Sequence, residues 1–375
     1  MSYYSLSGAV TVDLSLSTAQ NTGSGGTDTL LTMQHLDGSN AGADRLTGNS
    51  GDNRINGYSG ADTLNGGTGN DSLAGGEDDD RFLADAGDDR IDGGNGTDTA
   101  SYYAITSDII LNLTIITAQS LGSAGHDTLL QIENIEGSNT GNDRLSGDEE
   151  NNLLSGFGGN DVLKGGAGAD TLDGGSGIDT ADYSGVAGAV TAELWRGVFT
   201  KDGEGSADTA IGIENVTGGA FNDLLAGDAA ANLLNGGAGA DRMSGGNGAD
   251  TLIGGAGADT LAGEAGNDVF DLNSLSESGL SSSSWDQLID FVSGQDKIDL
   301  TTLDANAAST STNEAFVFIG SAAFSSSNAT GQLRYSYDAG SGTSMVYGST
   351  DSDNAAEFAI QLMGVSSLVV SDFLL

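Results

Sequence analysis

Gly236-Gly237-Ala238-Gly239-Ala240-Asp241-Arg242-Met243-Ser244 runs directly into Gly245-Gly246-Asn247-Gly248-Ala249-Asp250-Thr251-Leu252-Ile253, and that into Gly254-Gly255-Ala256-Gly257-Ala258-Asp259-Thr260-Leu261-Ala262. The shared pattern is G-G-x-G-x-D-x-U-x, with U a large apolar residue. Outward from this stretch the same register fills three blocks. Position six is Asp44, Asn53, Asp62, Asp71, Asp80, Asp89 and Asp98, then Asp143, Asn152, Asp161, Asp170 and Asp179, then Asp223, Asn232, Asp241, Asp250, Asp259 and Asp268. Position eight is apolar throughout, from Leu46, Ile55 and Leu64 to Leu252, Leu261 and Phe270.

Each unit divides into a six-residue loop and a three-residue strand. Glycine at positions one, two and four permits positive φ and a tight turn that aims peptide carbonyls inward. The aspartate adds a hard carboxylate oxygen, and calcium takes six to eight such oxygens at roughly 2.3–2.6 Å. No single loop supplies so many, so neighbouring loops must share an ion. The middle residue of the strand points inward, because side chains alternate across a strand. A disordered chain has no need of an apolar residue two places after each aspartate, so disorder is the expectation only for the metal-free chain.

The repeat resembles the hemolysin-type (RTX) calcium-binding nonapeptide. That resemblance implies an all-β fold, a right-handed parallel β-roll (β-solenoid) with two units per turn and calcium in the loops. The expected ligands are Asp62, Asp71, Asp89, Asp98, Asp143, Asp161, Asp170, Asp179, Asp241, Asp250, Asp259 and Asp268. With them go the peptide groups of Gly67, Gly69, Gly166, Gly168, Gly237, Gly239, Gly246, Gly248, Gly255 and Gly257. Where the loop is degraded (Asn53, Asn152, Asn232, Asp223, and Asp80, where Asp78 replaces a glycine) the residue reads as a turn former without metal.

The charge agrees. The 375 residues carry 54 acidic and 11 basic side chains, a formal −43. Such a body repels itself unless cations neutralise it, and it is a poor partner for nucleic acid or anionic membrane. About a dozen calcium ions, one per well-formed loop, would bring it near −20. Arg45, Arg54, Arg81, Arg90, Arg144 and Arg242 each follow a position-six residue and are expected on the solvated outer face. Cysteine and proline are both absent, so disulfides and thiolate metal sites are excluded. No run approaches the roughly 20 apolar residues of a membrane span. The first basic residue is Arg45, so no cleavable secretory signal is expected at the N-terminus.

A longer repeat lies above the short one. Gly8-Ala9-Val10-Thr11-Val12-Asp13-Leu14 returns as Gly188-Ala189-Val190-Thr191-Ala192-Glu193-Leu194, and loosely as Ser107 to Leu113. Gly26-Thr27-Asp28-Thr29-Leu30 matches Gly125-His126-Asp127-Thr128-Leu129 and Ser206-Ala207-Asp208-Thr209-Ala210. The expected division is therefore a first RTX block 1–102 (opening strands 1–38, nonapeptides 39–102), a second block 103–187, a third block 188–270 and a C-terminal β cap 271–375. Asp44 to Asp143 spans 99 residues, a multiple of nine, whereas Asp143 to Asp223 spans 80, which predicts a bulge or loop near Gly218–Phe221. Ser2-Tyr3-Tyr4 repeats Ser101-Tyr102-Tyr103, so Met1 falls where a repeat should be under way, and an upstream domain, catalytic or repetitive, is expected.

After Phe270 the period stops. Asp286-Gln287-Leu288-Ile289-Asp290-Phe291-Val292-Ser293-Gly294-Gln295-Asp296-Lys297-Ile298-Asp299-Leu300 resembles the segment that follows the roll in serralysin-type secreted metalloproteases. Ala315–Gly320, Gly331–Tyr335 and Phe358–Gly364 look like the antiparallel strands that cap it there, and Asp372-Phe373-Leu374-Leu375 is similar to the uncleaved signal read by type I secretion machinery. Asp351-Ser352-Asp353-Asn354 departs from the family's glycine-containing turn, so no additional calcium is expected there.

Catalytic motifs are missing. A zinc protease needs H-E-x-x-H, but His35 and His126 stand alone, and there is no G-x-S-x-G elbow. The sequence therefore points to a non-enzymatic, secreted, extracellular bacterial calcium-binding RTX module that folds on meeting calcium and serves export and stabilisation of its parent protein. An adhesin or matrix protein, with possible self-association, is the alternative, and a part of a secreted protease, lipase or polysaccharide-acting enzyme the next. Trp195, Tyr183, Tyr102 and Tyr103 are expected to cover block ends rather than bind sugar.

Overall fold

The computed structural model describes residues 1–122, 125–308 and 313–375, and no α-helix occurs among them. Glycine-rich loops separated by three apolar-centred residues leave no run long enough for a helix. The chain forms two compact units, one of residues 1–181 with 208–213, the other of 182–207 with 214–375.

In the first unit, strand Arg45–Thr47 pairs in parallel with Thr63–Asn65, which pairs with Arg81–Leu83. Register advances by eighteen residues, as in Leu46↔Leu64↔Phe82, so two nonapeptides make one turn of a parallel β-roll. The column runs from Val12 through Leu46, Leu64, Phe82, Ala100, Ile135, Leu154 and Leu172 to Ala210. Leu36, Ile55, Leu73, Ile91 and Leu129 stack on the facing sheet. All seven side chains from Leu46 to Leu172 in the first column are 0% exposed. The interior is thus one aliphatic side chain deep from each sheet, which makes it depend on what holds the loops.

The longer repeat has a structural reading. Thr11–Asp13 and Ile110–Asn112 each pair with the first nonapeptide strand of a block, Arg45–Thr47 and Arg144–Ser146. In the second unit Val190–Glu193 does the same with Leu224–Ala226, and folds back antiparallel on Val198–Asp202. The expected irregularity near Gly218–Phe221 is a loop. Six residues separate Gly38 from Asp44 and Gly137 from Asp143, but five separate Gly218 from Asp223, which accounts for the shifted phase.

The second unit stacks Leu225, Met243, Leu261 and Leu288 on one sheet and Val216, Leu234, Leu252, Phe270 and Ile298 on the other. Gln332–Asp338, Thr343–Ser349 and Phe358–Met363 form the antiparallel part. The segment 315–320 differs from expectation: its strand, Val317–Phe318, pairs in parallel with Gln332 and Leu333, while Thr343–Ser349 supplies the middle antiparallel strand. Phe358–Met363 also pairs in parallel with Asp286–Leu288, so the cap extends a sheet of the roll. Phe373–Leu374 pairs with Ile298 and Asp299, adding the chain's last residues to the other sheet.

Candidate metal centre

The position-six aspartates are all buried. Asp62, Asp80 and Asp71 are 2–3% exposed, and Asp161, Asp241, Asp250, Asp259 and Asp268 no more than 1%. Each is fixed by a backbone donor eighteen residues earlier. The Asp44 N–H donates to Asp62 Oδ1 at 2.7 Å, that of Asp62 to Asp80 at 2.8 Å, and that of Asp80 to Asp98 at 2.7 Å. On the other edge Asn53 donates to Asp71 and Asp71 to Asp89. The same ladder joins Asp143 to Asp161, Asp161 to Asp179 and Asn152 to Asp170. In the second unit it joins Asp223 to Asp241 to Asp259, and Asn232 to Asp250 to Asp268.

In nine of these aspartates one oxygen is satisfied and the other is not. The Oδ2 atoms of Asp62, Asp71, Asp80, Asp98, Asp161, Asp241, Asp250, Asp259 and Asp268 are buried without a hydrogen-bond partner. A buried unpaired carboxylate oxygen costs several kcal/mol unless a cation meets it. The Oδ2 atoms of Asp62, Asp80, Asp98, Asp161 and Asp241 also face a carbonyl. A Cβ placed on Gly57 would lie 2.0 Å from Asp62 Oδ2 and 2.9 Å from the Gly75 carbonyl oxygen. At Gly236 the figures are 2.3 Å to Asp241 Oδ2 and 2.6 Å to the Gly254 oxygen. Two acceptors converging with no hydrogen between them form a cradle for a hard cation, and the donor set, carboxylate plus carbonyl, is that of calcium. These glycines have no Cβ because the oxygens occupy its place.

Burial and neighbouring negative charge act on these acids in the same direction. Burial pushes Asp62 up to about 8, with the Asp44 N–H opposing and the Asp80 and Asp44 carboxylates adding to it. Asp80 and Asp241 are pushed up to about 7 in the same way, and Asp161, Asp250 and Asp259 to about 6.

The structure brings eleven of the twelve expected aspartates into this arrangement of ladder and buried carboxylate, and sets Asp143 apart. Its Oδ1 accepts from the Ile109 N–H and the Ser138 hydroxyl, and its Oδ2 from the Ser138 N–H at 2.6 Å. Asp44 and Asp223 are likewise capped, by Ser39 and by Gly219. Asp80, read from sequence as a turn former, has the ladder bond and the unpaired oxygen of its neighbours. Two of the three asparagines place a donor where the aspartates place an oxygen. Asn152 Nδ2 donates to the Glu133 carbonyl and Asn232 Nδ2 to that of Glu214, both at 2.7 Å, so an amide hydrogen fills the space facing the carbonyl.

The ten glycines named from sequence all have φ between +85° and +155°. The carbonyls beside the carboxylates belong instead to position-one glycines such as Gly75, Gly93, Gly174 and Gly254. The Gly237 carbonyl accepts from the Ala256 N–H. Sequence inspection also missed the ends of the ladders, where Asp89, Asp170, Asp259 and Asp268 donate to Asp127, Asp208, Asp286 and Asp296, and Asp98 to Glu133. Gly125-His126-Asp127-Thr128-Leu129 keeps the G-x-D-x-U half of the repeat, a signal that could have found Asp127. His126 Nδ1 lies 3.2 Å from Asp88 on the surface, and His35 is exposed elsewhere on the first unit.

Two family models match. The one described as Peptidase M10 serralysin C terminal matches residues 170–375. The one described as RTX calcium-binding nonapeptide repeat (4 copies) matches residues 39–73, 65–100, 138–172 and 158–181. Solved structures of two subunits of the Azotobacter vinelandii mannuronan C5-epimerase are similar in fold. The AlgE6R2 subunit is 24% identical over 43% of this chain and 91% of its own, with a TM-score of 0.32. The AlgE6R3 subunit is 22% identical over 41% of this chain and 78% of its own, with a TM-score of 0.31. A search of curated proteins gives no match.

Proposed function

This chain belongs to the serralysin C-terminal family, carrying RTX calcium-binding repeats before and within the matched region, and from that we propose that it is a secreted folding module whose roll closes only on meeting extracellular calcium. The proposed ligands are Asp62, Asp71, Asp80, Asp89, Asp98, Asp161, Asp170, Asp179, Asp241, Asp250, Asp259 and Asp268, with the position-one carbonyls facing them; Asp143, with both oxygens taken, is left out. Calcium supplies the divalent charge that lets two carboxylates and their carbonyls share one buried space. The observation that carries this is the column of buried Oδ2 atoms without hydrogen-bond partners.

Binding restricted to the folded state adds its free energy to stability, so many weak sites sum to a steep transition. Inside a cell, where calcium is scarce, the chain stays extended and exportable. The C-terminus supports the same order of events. Asp372 is fully buried, bonded to Ser293, Gly294 and Val369, and Phe373 is 6% exposed. A secretion signal in these residues is readable only before the roll closes. Both matched families are non-catalytic, which suits a role in export and stabilisation of the parent protein.

The test is a calcium titration of the purified chain by far-UV circular dichroism at neutral pH and low salt. A cooperative gain of β signal, reversed by chelator, is expected. Full β signal in excess chelator would refute the proposal.

A further inference from the structure

Among the described residues, three carboxylates come together within 4.8 Å at two places. One, Asp351, Asp353 and Glu357, is a surface turn with its aspartates exposed. The other, Asp71, Asp85 and Asp89, lies in the roll. Asp85 breaks the repeat, standing where position two has a glycine in the regular units, as at Gly67 two units earlier. Its side chain reaches back across that turn, and the Gly67 N–H donates to Asp85 Oδ2 at 2.9 Å. This places the Asp85 carboxylate over the loop that carries Asp71. Asp85 Oδ1 is left buried without a hydrogen-bond partner, and so is Oδ2 of Asp71, itself 3% exposed. Asp89, 4% exposed, holds the third corner through the Asp71 N–H at 2.8 Å.

The regular pairs, such as Asp62 with Asp80, offer two carboxylates. We propose that Asp85 completes a three-carboxylate calcium site with Asp71 and Asp89, and that this site is the tightest of the roll and the first to fill as calcium rises. The inference rests on the calcium reading above. Its physical basis is charge count. Calcium affinity in oxygen sites rises with the number of anionic ligands, and a third carboxylate at this range is worth on the order of tenfold in affinity at the effective dielectric of a partly solvated site. Without the ion the three acids repel one another, so the two turns they join are the part of the edge most dependent on calcium.

The experiment is isothermal titration of calcium, in competition with a chromophoric chelator, into the stripped full-length chain and three variants. Asp85→Gly restores the regular repeat. Asp85→Asn keeps the shape and the acceptor for Gly67 but removes the charge. Asp88→Asn removes the neighbouring charge, which is 57% exposed and bonded to His126 outside the cluster. Loss of the first, tightest step by about tenfold in both Asp85 variants, with later steps and the final circular dichroism spectrum kept and Asp88→Asn like wild type, supports the proposal. Superimposable isotherms for wild type and both Asp85 variants overturn it and leave calcium-dependent folding standing, as does an equal effect of Asp88→Asn. A wild-type chain that binds no calcium overturns the parent reading instead.

Discussion

Stripped of calcium, this chain is expected to gain structure in acid. The perturbation is pH alone, in excess chelator at low salt. Burial holds Asp62 and Asp286 at about 8, Asp80, Asp89 and Asp241 at about 7, and Asp98, Asp127, Asp161, Asp250 and Asp259 at about 6, against 3.8 for an ordinary aspartate. The folded pKa is thus above the unfolded one. Such a group contributes stability that is fully present below 3.8 and lost as pH rises through 6 to 8, because the closed roll accepts a proton that the open chain does not. A carboxyl moved from its ordinary value to about 7 corresponds to about 4 kcal/mol. Neighbouring acids share protons and relax when charged, which reduces this to about 1 kcal/mol per group, on the order of 10 kcal/mol for the ten together. That is comparable with the whole stability of a domain. Far-UV circular dichroism from pH 9 to pH 4.5, with light scattering to exclude aggregation, should show β signal appearing with a midpoint between 6 and 8. A chelated chain equally disordered at both ends, or one that loses β signal on acidification, would refute the idea that calcium and protons compete for the same buried oxygens.

Other tests address the core, the loops and the cap. Leu64→Ala, at a fully buried position between Leu46 and Phe82, should cost about 2–5 kcal/mol in denaturant unfolding at saturating calcium. Gly66→Ala would set a Cβ 2.0 Å from Asp71 Oδ2 and should raise the calcium midpoint of folding several-fold by circular dichroism. Asn152→Asp exchanges the amide that donates to the Glu133 carbonyl for a carboxylate, and equilibrium dialysis should find about one more ion bound. Phe373→Ala, which removes a ring stacked beside Ile298 and 4.9 Å from Phe318, should lower stability by about 3 kcal/mol in calcium.

Much of this molecule is written locally. A nine-residue period with glycine at fixed places and one apolar residue per unit allows little but a two-unit turn, and the eighteen-residue register follows directly. The loop chemistry is local too, since the glycines and the aspartate lie within six residues of one another. Asp143 against Asp161 is where local reading ends. Both loops end Gly-Asn-Asp, but Ser138 stands at position one of the first where Gly156 stands in the second, and the Ser138 and Ile109 donors satisfy Asp143 while Asp161 keeps an unpaired oxygen. Ser138 is five residues from Asp143, but Ile109 comes from just before a block-opening strand, 34 residues away, a distance no period reveals.

From its sequence alone this chain determined a parallel roll, an aliphatic interior and a calcium-type loop, because each depends on contacts repeated at short, constant spacing. Tertiary structure alone decided which carboxylates keep a free oxygen, where Glu133, Asp286 and Asp296 extend the ladders, and that Phe373 and Leu374 become a strand of the roll. Those outcomes depend on which hydrogen-bond donors, from distant segments, reach an oxygen first.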